Sequence, residues 1–217
     1  MFLPSLSQHK KEFQLDRLIL FSDAVFAIAI TLLVIDLKVP EVTEPVTEIK
    51  VLNAFLHLFP KLIGFLLSFF LIGLYWTIHH RLFGFVIGYT QKLLWINLLF
   101  LLGIVLLPFS TAFYSEYTFD FLKTPIITYS LNFCYIGLTS FFLWKYVSNP
   151  ANNLSENLTS PLANYYTFRA IAIPIIFAII IIVSFFNPRS AIYIPPFTPV
   201  IMWAIGKYFK NKLQLHK

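Results

Sequence analysis

The chain has 217 residues, of which 58% are hydrophobic and only 12% charged; its mean hydropathy is +0.76. Soluble domains carry roughly 25% charged residues, so this composition excludes an ordinary soluble fold and points to an integral membrane protein. The net charge of +6 sits mostly in short segments beside apolar runs, as topology determinants do, and no basic stripe interleaved with aromatics stands apart as a nucleic-acid surface.

About 20 apolar residues are needed to cross ~30 Å of hydrocarbon. That length predicts six spans, near 18–38, 57–80, 93–114, 124–146, 166–186 and 191–209, in one all-α transmembrane domain over 1–217. The first apolar run, Leu18 to Leu37, exceeds the ~7–15 residues of a signal segment and no small-residue cleavage site follows it. It is expected to stay in the mature chain.

The first span, "RLILFSDAVFAIAITLLVIDLKVP", places Arg17, Ser22 and Asp23 near one end of an otherwise apolar helix. At ~100° per residue, Ala24, Ile28, Thr31, Leu32 and Ile35 share one face. Ser22 and Ala29 lie together on another flank, where small residues allow close helix approach. Arg17 and Asp23 are neither i+3 nor i+4 and are poorly placed to pair along their own helix. A carboxylate at this depth needs donors from elsewhere. The second span ends at the same membrane face in "LYWTIHHRLF", which supplies Trp76, His79, His80 and Arg81. Arg17, Ser22, Asp23, Trp76, His79 and His80 are therefore expected to form a polar cluster tying helix ends together, with Asn97 and Arg169 able to join.

The third and fourth spans carry Asn97 and the single cysteine, Cys134. One cysteine rules out an intrachain disulfide and a cysteine metal cluster. The segment "SNPANNLSENLTSPLAN" contains glycosylation acceptor patterns at Asn153 and Asn157, yet it reads better as a flexible polar linker on the inner side. Pro195, Pro196 and Pro199 interrupt the last span; such breaks are tolerated where neighbours re-satisfy the backbone. Lysines and arginines favour the two ends and alternate connections, including Lys10, Arg81, Lys92, Lys145 and Lys207. Glu41, Glu44, Glu48, Glu116 and Asp120 mark the others. The positive-inside rule then places both termini in the cytoplasm.

Adjacent His79 and His80 point ~100° apart on a helix and do not readily share a metal. With no phosphate loop, nucleophile elbow or paired acidic site, neither an enzyme nor a cofactor is expected. A proton-coupled secondary transporter using Asp23 with His79 or His80 is the alternative, disfavoured by the absence of an internal repeat.

Arg17-x-x-x-Phe21-Ser22-Asp23 followed by "AVFAIAITLLV", together with "YWTIHHRLF", resembles the signature of the transmembrane protein 175 family. Those are potassium channels of endolysosomal membranes, with shorter prokaryotic relatives. The resemblance implies a homotetramer in the bilayer, with four copies of the first helix around a central pore. It implies a pore without a Thr-Val-Gly-Tyr-Gly filter, and none is found in the chain. Carried across, the apolar constriction falls on Ile28, further apolar rings on Leu32 and Ile35, and the hydroxyl ring linked to potassium preference on Thr31. The expected function is a cation channel in a prokaryotic cell membrane, modestly selective for potassium over sodium, with K+ as the permeant ion.

Overall fold

The computed structural model describes residues 6–117, 120–156 and 158–214. Eight α-helices are present among them: α1 Leu6–Leu32, α2 Glu48–His57, α3 Phe59–Phe83, α4 Gln91–Glu116, α5 Lys123–Ser148, α6 Ser160–Phe186, α7 Pro188–Ile192 and α8 Thr198–Gln214. Five helical segments are long and apolar enough to cross a membrane: Glu12–Asp36 and the helices α3, α4, α5 and α6. Among the described residues there is no strand, only an isolated bridge between Val86 and Ser155.

The helices extend beyond the apolar runs that announce them. α1 is 27 residues long, about 40 Å at ~1.5 Å per residue, and tightens into a 3-10 turn over Leu33–Asp36. The connection after it contains a helix that hydropathy alone does not separate. The Thr47 hydroxyl accepts from the Lys50 N–H to cap α2, with Glu48 in its first turn. Leu58 then separates α2 from α3, and Pro60 in the first turn of α3 favours a fresh helix start there. Thr90 caps α4 in the same manner, accepting from Leu93 N–H at 3.1 Å.

α4, α5 and α6 form the centre, and α1 and α3 pack against α4. Phe26, Leu71, Tyr75, Phe100, Ile104, Phe133 and Phe177 are buried in the main core, while Leu18, Leu82, Leu93, Trp144 and Val147 form a second cluster. Small residues set two of the crossings. A Cβ on Gly103 would fall on Ile136 and Tyr135, and one on Gly137 would fall on the Pro174 ring. Close backbone approach of this kind is how helices gain contact in a bilayer. Pro108 withholds the N–H that Ile104 O would accept in α4, and the Asn132 amide reaches the adjoining rung, its nitrogen toward Gly103 O at 3.2 Å and its oxygen toward Leu107 N–H at 3.3 Å.

One expectation is corrected. The segment after α5 is not a free linker: Leu154 is buried, Ile87 N–H donates to Leu154 O at 3.0 Å, and Glu156 N–H donates to Phe85 O at 3.1 Å. Backbone groups near a packed interior must find partners, and the α3–α4 loop provides them. Asn157 lies outside the described residues. The last expected span, over 191–209, is interrupted as its prolines predict. It divides into α7, a 3-10 turn at Pro195–Phe197 and the 17-residue α8, because prolines at 195, 196 and 199 withhold the N–H groups a continuous helix would use.

Candidate functional site

α1 presents two opposed faces. Leu15, Leu18, Ser22, Phe26, Ala29 and Leu33 recur at helical spacing and are buried against α3 and α4. Ala24, Ile28, Thr31, Leu32 and Ile35 lie on the other side and are exposed. Ile28 is 58% accessible, Leu32 41% and Ile35 66%. The first long segment is also the least enclosed, with 28% of its most apolar window buried against 39% to 50% for the others. Among the described residues its apolar stripe has no packing partner.

Two details of that stripe depart from an ideal α-helical projection. Ile35 belongs to the 3-10 turn, where each residue advances ~120° rather than ~100°, so it sits farther round than Ile28. The Thr31 hydroxyl is placed to donate to carbonyls of its own helix, Ile28 O at 2.8 Å and Ala27 O at 3.1 Å. Its single hydrogen is thereby engaged, and the remaining lone-pair surface of Oγ1 faces away from the helix.

Hydrogen bonds hold α1 to α3 and α4. Trp76 Nε1–H donates to Asp23 Oδ1 at 2.9 Å. Asn97 Nδ2 donates to Ser22 Oγ at 2.9 Å, and Ser22 donates to Leu18 O at 2.8 Å. His79 Nε2 lies 2.8 Å from Asn97 Oδ1. Since an amide oxygen only accepts, His79 must donate from Nε2, and the chain His79, Asn97, Ser22, Leu18 has one consistent direction. Phe26, Phe83 and Phe100 surround the imidazole, with ring centroids 5.5, 4.5 and 5.4 Å away. These rings were not anticipated, although Phe26 stands one turn beyond Ser22 on the same flank.

The remaining members of the expected cluster are placed differently. His80 is exposed and stacks on Trp76 at 5.5 Å. Arg17 is exposed and stands over the Phe13 ring at 5.8 Å, apart from the hydrogen-bonded groups. Its long side chain lies along the helix surface rather than turning in toward Asp23. Arg169 donates to Tyr165 Oη at 2.9 Å within α6 and does not join Asp23. Among the described residues no group of three His, Cys, Asp or Glu is arranged to hold a metal ion.

Residues 17–108 match the family described as the endosomal/lysosomal potassium channel TMEM175. A potassium channel of Streptomyces collinus is 32% identical over 145 residues, spanning 66% of this chain and 69% of the relative. A potassium channel of a Chryseobacterium species is 32% identical over 180 residues, spanning 81% and 85%. Among solved structures, a lysosomal potassium-selective channel TMEM175 homologue from Chamaesiphon minutus superposes with a TM-score of 0.75 at 26% identity, covering 90% of this chain and 98% of that one.

Proposed function

The chain belongs to the TMEM175 potassium-channel family, and from that premise we propose that it is itself a potassium-permeable channel, a homotetramer with four α1 helices lining one central pore. The family is one of ion channels, not enzymes. The observation that carries the reading is the apolar stripe of α1, left exposed by the described residues of its own chain. Five long helices leave one chain little material to enclose a water-filled path alone, and cyclic symmetry supplies the missing walls. The broken segment α7 to α8 completes a sixth pass, and both termini lie in the cytoplasm of a prokaryotic cell.

In this arrangement Ile28 forms the narrowest ring. A tight apolar neck gives water and ions no compensating contacts and closes by dewetting. Leu32 and Ile35 extend the apolar lining, with Ile35 rotated by the 3-10 turn. The outward oxygen of Thr31 offers a partial replacement for a cation's hydration, so selectivity for K+ over Na+ is modest. Asp23–Trp76 and the His79–Asn97–Ser22 chain fix the rotation of α1, so that the stripe faces the axis. That chain ends on a helix carbonyl, which supports an anchoring role over a proton relay.

Flux of K+ and Na+ through purified protein in liposomes tests the proposal. Wild type passes K+ faster than Na+, Ile28→Asn raises both fluxes, and Thr31→Ala brings the two rates together. Absence of flux for either ion in all three proteins would refute it.

A further inference from the structure

A groove of about 1160 Å3 opens between α3, α6 and α8, and none of its lining residues belongs to α1. Its wall combines two chemistries. Arg81, Arg169 and Lys207 line one end, and Phe69, Phe70, Leu74 and Met202 line the rest. Arg169 is only 8% accessible, yet among the described residues no carboxylate lies within ion-pair distance of it. Among the described residues its one hydrogen-bonded partner is the Tyr165 hydroxyl, and its buried Nε has no acceptor. The Lys207 ammonium stands over the Trp203 ring at 5.3 Å, and the Arg81 guanidinium lies against Tyr166. Three cations thus line one groove, and among the described residues no carboxylate forms an ion pair with any of them. A buried guanidinium left in this state is costly.

We propose that this groove binds an anionic glycerophospholipid, its phosphate held by Arg81, Arg169 and Lys207 and an acyl chain laid along Phe69, Phe70, Leu74 and Met202. The layout fits a lipid rather than a small soluble anion. From Phe69 to Arg81 the α3 helix covers about 18 Å at ~1.5 Å per residue, close to the ~15 Å depth of one leaflet's hydrocarbon. The cations gather at the end of α3, where the positive-inside rule places the inner leaflet, and basic pockets between helices there suit anionic headgroups. Trp76, Tyr165 and Trp203 supply the aromatic residues usual at headgroup depth. Arginine is suited to the phosphate because its fork donates two hydrogen bonds at once. Potassium conduction is not a premise of this assignment.

Native mass spectrometry of the purified full chain in detergent, titrated with phosphatidylglycerol or phosphatidylcholine of identical acyl chains, tests it. Wild type retains phosphatidylglycerol in preference, and the preference falls by about fivefold for each cation removed. Arg81→Gln combined with Lys207→Gln changes two exposed residues and leaves the buried arginine in place, so folding is preserved. Arg169→Gln is the second variant. Equal retention of the two lipids, or an unchanged preference in both variants, would overturn the proposal and fits a groove filled by another copy of the chain. Displacement of phosphatidylglycerol by inorganic phosphate would overturn the lipid assignment in favour of a soluble anion.

Discussion

Asn97 is fully buried and uses both ends of its amide, accepting from His79 and donating to Ser22. Three helices meet through that one side chain, because Ser22 lies on α1, His79 on α3 and Asn97 on α4. Asn97→Leu leaves a buried imidazole N–H unpaired and should cost about 1–3 kcal/mol, seen as a lowered unfolding temperature in detergent; an unchanged temperature would contradict this role. Asp23→Asn keeps an oxygen able to accept from Trp76 and should cost less in the same assay. The need of Asp23 for a donor was readable from the sequence, since Trp76 ends the second span at the same face. The separate position of Arg17 was not, because a long cationic side chain can lie along its own helix as readily as turn inward.

Hydropathy runs long enough to span a bilayer located the five long helices to within a few turns, and the small residues Ser22 and Ala29 marked the face of α1 that is buried. Shorter elements were hidden. α2 joins without a gap in hydropathy to the apolar start of α3, so only its Thr47 cap and the Pro60 that opens α3 distinguish it. The prolines near 195 signalled an interruption in the last segment, but not that the helix restarts at Thr198. Helix contacts were equally illegible, because a glycine in a span looks the same whether or not another backbone lies against it. Gly137 meets Pro174 of α6, so Gly137→Leu should force α5 and α6 apart. The expected result is a loss of monodisperse protein on size-exclusion chromatography, while Gly73→Leu, at a position with open space, elutes as wild type. Equal behaviour of the two variants would contradict the crossing.

At the scale of the whole molecule, the central feature is a helix whose one side is bonded into its own chain while its other side is left open. Exposed Ile28, Leu32 and Ile35 have two destinations, lipid or the interior of an assembly, and amino-acid type does not distinguish them, since both accept aliphatic side chains. The family relationship favours the assembly. Native mass or cross-linking of the purified protein should therefore report four chains, and a persistent monomer would contradict the pore.

Thiol accessibility across the constriction tests the central claim most directly. Ala24 and Thr31 flank Ile28 on the exposed face of α1, whereas Ile179 is an exposed residue of α6. In a Cys134→Ala background, Ala24→Cys, Thr31→Cys and Ile179→Cys are each treated with a charged thiol reagent, which attacks only a thiolate in contact with water. The account predicts that K+ flux is blocked at positions 24 and 31 and untouched at 179. Inert thiols at 24 and 31, with flux intact, would place the stripe of α1 in lipid or in packing and contradict it.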